Sequence, residues 1–367
     1  MESRKIVFAG GGTAGHIQPA LAVARLWKQS HPNDHIVFLG TASGLEERLV
    51  PEAGFELQLI TRVRVPRSLS TDLIKVPGLL RRSIRESKGI LKDADLLIGF
   101  GGYVCAPAYL AAASLKVPIV IHEANAKPGW ANRLGARYTE ALAVGSPVAD
   151  GPFATALITG LPLRDDITTV LSTYRSADEG KWREVRMKAK SDLGISHENK
   201  VIFVFGGSQG SQAINEVIES TRGLFKDKSF TIVHSVGGSN SLPASDEKYL
   251  ASPYIQDMAT AYLASDLVIA RSGAITCSEV RALAKFALFI PLPIGNGEQS
   301  VNADYLVEMG RARVLDQKSF TPAWLLDNMD SMLRQSEHVS DLPDFSDVEA
   351  AAKILSLAEH TLSVGER

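Results

Sequence analysis

Residues 254–303 read YIQDMATAYLASDLVIARSGAITCSEVRALAKFALFIPLPIGNGEQSVNA, and the fold is decided by how this stretch alternates. An apolar run, Leu267–Ala270, stops at Arg271-Ser272-Gly273, and a helical pattern opens near Cys277. A second apolar run, residues 287–291, ends in a Gly, Pro and Asn loop before another helical pattern at Gln299. Strand, tight loop, helix, repeated, is the grammar of an open α/β sheet. In such sheets ligands collect where loops leave the C-terminal ends of strands, because helix N-termini there present N–H groups and the positive end of the helix dipole. An anionic ligand is the first expectation. Glu279 could offer two carboxylate oxygens to a vicinal diol such as a ribose. Thr276 and Glu279 also stand three apart at the opening of a helical run, which is capping-box spacing, and spacing alone favours that structural reading.

Upstream, residues 201–218 (VIFVFGGSQGSQAINEVI) repeat the layout of residues 5–24 (KIVFAGGGTAGHIQPALAVA), each an apolar strand, a glycine loop and a helix. An internal repeat of this kind predicts two Rossmann-like halves. Gly10, Gly12 and Gly15 match the dinucleotide fingerprint G-x-G-x-x-G, which alone would suggest a nicotinamide-dependent oxidoreductase. That reading needs an acid at the end of the second strand for the ribose, and the strand over residues 36–39 ends in Gly40-Thr41.

Further strands are expected over residues 55–60, 96–98, 118–121, 141–144 and 157–159, with helices over 73–92 and 108–115, so the alternation implies a parallel sheet. Residues 96–115 carry no charge, but Gly101, Gly102 and Pro107 break them, and a strand, a loop and a helix fit better than a membrane span. A Gly/Pro break at TGLPLR, residues 159–164, marks the domain boundary. The expected domains are residues 1–162 with a returning C-terminal helix over 346–367, and residues 163–345.

With 367 residues, 45% apolar and 22% charged, the chain has the composition of a two-domain globular enzyme. A net charge of −2 argues against nucleic-acid binding. The two cysteines, Cys105 and Cys277, lie far apart, which indicates neither a disulfide framework nor a zinc site and fits a reducing cytoplasm. The N-terminus shows no signal-peptide core. Charge is unevenly placed: residues 61–92 hold nine Lys or Arg against Asp72 and Glu86. Such a run is commonly a solvated face. Ile74, Val76, Pro77, Leu79, Leu80 and Ile84 are interleaved with it, a mixture that suits contact with an anionic membrane.

Taken together and in order, GGGTAGHIQPALA, GFGGYVCAP, HEANA, TGLPLR, GGSQGSQAIN, YIQDMATAY, RSGAITCSE and EQSVNA resemble the MurG family, the membrane-associated N-acetylglucosaminyltransferases of peptidoglycan synthesis. The resemblance spans nearly the whole chain. It implies a GT-B fold, in which two Rossmann-like domains face a central cleft, with an N-terminal acceptor and membrane domain and a C-terminal donor domain. It further implies UDP-N-acetylglucosamine as donor, undecaprenyl-pyrophosphoryl-N-acetylmuramyl-pentapeptide as acceptor, inversion at the anomeric carbon, anionic inner-leaflet lipids as partners at the cytoplasmic face, and no cofactor or metal.

By the same resemblance Glu279 holds the donor ribose, Ile255 and Met258 belong to the uracil pocket, and Asn125, Glu298 and Gln299 meet the sugar. Thr13, Ala14 and Gly15, Ser208, Gln209 and Gly210, and Ala274, Ile275 and Thr276 fall in donor-binding motifs. Backbone N–H groups of residues 208–210 at a helix start, with Arg164, suit the charge that develops on a leaving pyrophosphate. His16 is the candidate general base, since an imidazole titrates near neutrality; positioning of phosphate or acceptor is its alternative role. Gly101, Gly102, Tyr103 and His122 are acceptor-side candidates. Three positions depart from the commoner family pattern: Ala124 where Gln is usual, Leu161 where Asn is usual, and Glu298 where Gln or His is expected. Other UDP-sugar enzymes of this architecture, including a UDP-N-acetylglucosamine 2-epimerase, and a non-catalytic nucleotide-sugar-binding membrane adaptor are the remaining readings.

Overall fold

The computed structural model describes residues 3–42, 44–63, 75–225, 228–293, 297–339 and 342–365. The chain forms two compact units, Met1–Arg164 with Glu349–Arg367, and Asp165–Val348.

In the first unit the strands are β1 (Lys5–Ala9), β2 (His35–Gly40), β3 (Glu56–Leu59), β4 (Leu96–Gly99), β5 (Ile119–Glu123), β6 (Leu142–Val144) and β7 (Leu157–Ile158). They form a parallel sheet in the order β3-β2-β1-β4-β5-β6-β7. Its helices are α1 (Ala14–Ser30), α2 (Glu46–Glu52), α3 (Val76–Leu91), α4 (Cys105–Leu115) and α5 (Trp130–Gly135). The first strand is buried on both faces, as a central parallel strand must be, and Phe8 stacks on Phe38 with ring centroids 5.2 Å apart.

Helix α4 begins three residues before the expected start at Ala108. Pro107 falls in its first turn, where a missing N–H removes no intrahelical bond, so the proline opens the helix instead of breaking it. Helix α3 is shorter than the pattern suggests, and the expected residues 73 and 74, with Arg64, Arg67 and Asp72, lie outside the described residues. Ser83, Ser87, Ile90 and Leu91 form its buried face, and Ile84 packs against the core beside α4.

The second unit starts with α6 (Asp165–Thr173) and α7 (Glu179–Asp192). Its parallel sheet comprises β8 (Lys200–Phe205), β9 (Phe230–Ser235), β10 (Tyr249–Ser252), β11 (Leu267–Ala270), β12 (Phe286–Phe289) and β13 (Ala312–Val314), in the order β10-β9-β8-β11-β12-β13. Helices α8 (Gln212–Arg222), α9 (Met258–Ala264), α10 (Ala274–Ala282), α11 (Glu298–Asn302), α12 (Asp304–Glu308) and α13 (Pro322–Ser336) complete it. The internal repeat is therefore structural: in both sheets the first strand has a partner on each side, and the order reverses there.

The last helix, α14 (Ala350–Gly365), belongs to the first unit. Ile354, Ala358 and Leu362, at helical spacing, enter the core that holds Ile17, Leu21, Ala24 and Trp27 of α1. His31 and Glu359 meet at 2.7 Å across the same contact.

Candidate functional site

In the first unit the loops after β1 and β4 leave neighbouring strands, so the topology brings their glycines together. Gly11 N donates to Gly101 O at 3.4 Å. Gly102 has φ +91°, and a Cβ there would lie 2.2 Å from Gly11 O, so both the conformation and the approach of the two loops require glycine.

His16, in the first turn of α1, points back into this turn. Its Nδ1 lies 3.1 Å from Gly11 O and 3.2 Å from Thr13 Oγ1. A carbonyl only accepts, so Nδ1 carries the proton and the basic lone pair resides on Nε2. Tyr103 is half exposed beside Gly12, with the Arg62 guanidinium 4.9 Å from its ring centroid. Thr13 takes the extended N-cap conformation that opens α1 at Ala14 and Gly15. His16, Gly101, Gly102 and Tyr103 thus gather at one end of the sheet, together with Thr13, Ala14 and Gly15.

His122, near the C-terminal end of the adjacent strand β5, differs from these in being enclosed. It sits within β5, buried, with Nε2 donating to Gly160 O at 3.1 Å and its ring 5.6 Å from Phe100. Burial pushes its pKa down to about 4, so the imidazole is a neutral core group. Its neighbour Glu123 organises the following loop: Oε1 accepts from Asn125 N at 2.9 Å and Asn125 Nδ2 at 3.0 Å, while Oε2 accepts from Gly129 N and Asn132 Nδ2. Ala124 is buried, and Leu161 fills the space over Gly145, where a Cβ would meet its Cδ2 at 2.6 Å. Arg164 is the last residue of the unit and is half-buried.

Sequence reading missed Glu46. This carboxylate, 1% exposed on the first turn of α2, accepts from Gly12 N at 2.9 Å through Oε2, and from Thr41 N and Thr41 Oγ1, each at 3.0 Å, through Oε1. Its Cγ occupies the space where a Cβ on Gly40 would be, 2.6 Å away. The acid absent from the end of β2 is thus supplied by α2, and it faces inward. A dinucleotide pyrophosphate would need the N–H groups of the first glycine turn, and Gly12 N–H is already held by an anion. An acid within a few residues of a strand-ending Gly-Thr was the available signal.

In the second unit the candidates sit at the C-terminal ends of β8, β10, β11 and β12. The loop after β8 has φ +90° at Gly207 and +76° at Gly210, and Gly210 N–H closes a turn onto Gly207 O at 2.9 Å. Of residues 208–210, Gly210 therefore gives its N–H to the loop itself. Ser211 caps α8, accepting from Ile214 N. Asn240 Nδ2 reaches Gln209 O at 3.2 Å and Val236 O at 2.7 Å, holding the loop from the side of β9.

Buried Arg271, unassigned from sequence, ties these loops together. Its guanidinium donates to Ser211 Oγ at 2.7 Å, Ile290 O at 2.9 Å, Pro291 O at 3.1 Å and Gln317 Oε1 at 2.7 Å. Ser272 Oγ donates to Gln299 O at 2.7 Å, and Gln299 Oε1 accepts from Leu292 N at 2.9 Å, so α11, which starts at Glu298, is fixed to the same end of the sheet.

The capping-box reading of Thr276 and Glu279 fails on geometry. Helix α10 starts at Ala274 with Gly273 as its extended cap, so Ile275 and Thr276 are already helical and Glu279 lies a full turn further in. Glu279 is buried, and Oε2 accepts from Tyr262 Oη of α9 at 2.8 Å. Ile255 and Met258 are half-buried before and at the start of α9, where Asp166 Oδ2 accepts from Met258 N at 3.1 Å. Cys277 and Cys105 are buried thiols, and burial raises both, Cys105 to about 12, so neither offers a thiolate.

Two domain families match, one in each half of the chain. The glycosyltransferase family 28 N-terminal domain covers residues 6–144, and the family 28 C-terminal domain covers residues 201–356. The chain is 42% identical over 343 residues to the UDP-N-acetylglucosamine–N-acetylmuramyl-(pentapeptide) pyrophosphoryl-undecaprenol N-acetylglucosamine transferase of Mycolicibacterium vanbaalenii, covering 90% of this chain and 82% of the relative. The transferase of the same name from Streptomyces avermitilis is 43% identical over 331 residues, 88% of each chain. Among solved structures, MurG from Acinetobacter baumannii superposes with a TM-score of 0.66 at 26% identity, covering 100% of this chain and 99% of that one. A Neisseria meningitidis UDP-GlcNAc 2-epimerase (TM-score 0.57, 14% identity, 98% of this chain and 100% of that one) shares the fold alone. Matches in both halves, and relatives above 40% identity over about nine-tenths of the chain, place the protein in the MurG family of GT-B glycosyltransferases.

Proposed function

We propose that this chain moves N-acetylglucosamine from UDP-N-acetylglucosamine to the C4 hydroxyl of undecaprenyl-pyrophosphoryl-N-acetylmuramyl-pentapeptide, with inversion. The observation that carries this reading is the 42–44% identity to transferases named for that reaction, over about nine-tenths of the chain.

The chemistry balances with the residues present. The acceptor oxygen forms a bond to the anomeric carbon, the bond from that carbon to the phosphate oxygen breaks, and UDP leaves with the electron pair. The acceptor proton passes to Nε2 of His16, the lone pair left by the Nδ1–H contact to Gly11 O. The Ser208 and Gln209 N–H groups ahead of α8 are the donors for the departing pyrophosphate, and the Arg164 guanidinium carries the charge to match it. Glu279, its carboxylate oriented by Tyr262, takes the ribose diol. Ile255 and Met258 take the uracil, and Asn125, Glu298 and Gln299 the sugar hydroxyls, while residues 13–15 and 274–276 supply backbone around the donor. Gly101, Gly102 and Tyr103 take the acceptor side. His122, neutral and buried, acts as scaffold.

Among the described residues no helix is long and apolar enough to cross a membrane. The acceptor's lipid tail stays in a bilayer, and the exposed Arg81, Arg82 and Arg85 of α3 suit attachment to anionic lipid at its surface. Product analysis tests the reaction: the account expects a lipid-linked disaccharide with a β linkage, and an α linkage or epimerised free sugar would overturn it.

A further inference from the structure

Two hydrogen bonds around His16 share one peptide group. The bond between Gly11 and Gly12 contributes Gly11 C=O, which accepts from His16 Nδ1 at 3.1 Å, and Gly12 N–H, which donates to Glu46 Oε2 at 2.9 Å. Carboxylate, peptide and imidazole therefore form one chain. We infer that Glu46 is a positioning residue for His16, acting through the Gly11–Gly12 peptide; the inference rests on His16 being the base of the proposed transfer.

The physics is that of a polarised chain. An anion on the N–H side draws the peptide's dipole into line, which makes Gly11 O a stronger acceptor. A stronger acceptor at Nδ1 fixes the proton there, keeps the lone pair on Nε2, and favours the imidazolium that forms when Nε2 takes the acceptor's proton. The arrangement is built to hold. Glu46 is 1% exposed, and its other oxygen is fixed by Thr41 N and Thr41 Oγ1, both at 3.0 Å. Gly101 presses on the far edge of the ring, since a Cβ there would stand 3.2 Å from Nε2. A carboxylate in direct contact with the imidazole would do the same work more strongly, but here the glycine turn stands between them, and the turn must stay closed against the β4 loop.

The bland alternative is that Glu46 only pins the loop after β2 to the first glycine turn. The two roles differ in what they do to the ring. Among the described residues, other charged or titratable groups packed about this turn include the Tyr103 phenol, the Arg62 guanidinium 4.9 Å from that ring, the Cys105 thiol, which donates to Gly101 O at 3.1 Å, and Glu123, held through Asn132. Glu46→Gln leaves all of these in place.

The test is nitrogen NMR of the full chain labelled with 15N-histidine, without substrates, with the His16 signals among the eight histidines assigned from their loss in His16→Ala. Wild type is expected to show a protonated Nδ1 and an unprotonated Nε2 above its pKa, and a Gly12 amide proton whose shift follows the His16 titration. In Glu46→Gln the Nδ1–H preference weakens and the pKa falls. In turnover, kcat should drop about tenfold while KM for UDP-N-acetylglucosamine stays within about twofold. A lower melting temperature with the tautomer and pKa of His16 unchanged makes Glu46 a structural pin and overturns the inference. Should the variant not fold, wild type still decides: an Nε2–H tautomer, or a Gly12 amide blind to the His16 titration, overturns it. Because the spectra need no substrate, they stand or fall separately from the proposed transfer.

Discussion

Glu279 carries two opposed expectations, and its position in α10 separates them. A carboxylate a full turn inside a helix capped by Gly273 stands outside capping-box spacing from that cap, so removing it should leave the helix start intact. Glu279→Ala is expected to weaken UDP binding by the loss of charge-assisted hydrogen bonds, each about 1.5–3 kcal/mol. Calorimetry with UDP reads this directly, and unchanged affinity in a variant that merely melts earlier would return Glu279 to a structural role. His16→Ala should slow the chemical step by roughly 10²–10⁴-fold with donor affinity near normal. Turnover that survives at saturating substrates would move the base elsewhere. At this scale the sequence made His16 and Glu279 candidates because each stands within its own motif, and the structure places His16 in the first turn of α1 and Glu279 against Tyr262. Glu46, Arg271 and Asp166 were not legible, because each serves a loop contributed by a different segment, and such pairings exist only once the sheet is assembled.

Elements were legible where the pattern of burial was strong. The central strands β1, β4, β8 and β11 are apolar on both faces and read directly as parallel core strands. Helix starts were less legible: α4 and α10 both begin three residues before their expected places, since Pro107 and residues 274–276 look like loop until the first turn forms around them. In α3 the apolar residues interleaved with the charges, Leu79, Leu80 and Ile84 among them, suited contact with an anionic membrane, and the fold limits how far they can serve it. Ile84 packs against the core and Leu79 and Leu80 are half-buried, whereas Arg81, Arg82 and Arg85 are exposed, with Arg82 Nε 2.9 Å from Glu86. Any docking by this helix should then be chiefly electrostatic, at about 1 kcal/mol per basic residue near an anionic surface, screened over roughly 8–10 Å. Arg81, Arg82 and Arg85 replaced together by Ser should reduce co-sedimentation with anionic liposomes, most at low salt, and leave UDP binding intact. Sedimentation indifferent to salt and lipid charge would discard this surface.

Across the whole molecule, each unit buries a histidine in its neutral form: His122 in the first, and His234 in the second, where Tyr249 Oη and Asn215 Oδ1 hold the ring at 2.7 and 3.1 Å. Burial lowers both to about 4 from 6.5. Between these values the unfolded chain binds more protons than the folded one, so stability is full above about 6.5 and declines as pH falls toward 4, by about 3 kcal/mol for each histidine at most. The lowered acids Glu56 and Glu86, whose hydrogen bonds outweigh burial, act only below their ordinary 4.5. Denaturation midpoints should therefore fall between pH 7 and 5, with a shallower slope in His234→Gln, and a flat profile over that range would contradict the burial of neutral imidazoles.

The central claim is transfer of N-acetylglucosamine to a lipid-linked muramyl acceptor, and the most direct measurement is UDP release from UDP-N-acetylglucosamine with and without undecaprenyl-pyrophosphoryl-N-acetylmuramyl-pentapeptide. The account predicts release only when the acceptor is present, with one lipid-linked disaccharide formed for each UDP. Release of equal size without the acceptor, or none in its presence, would contradict it.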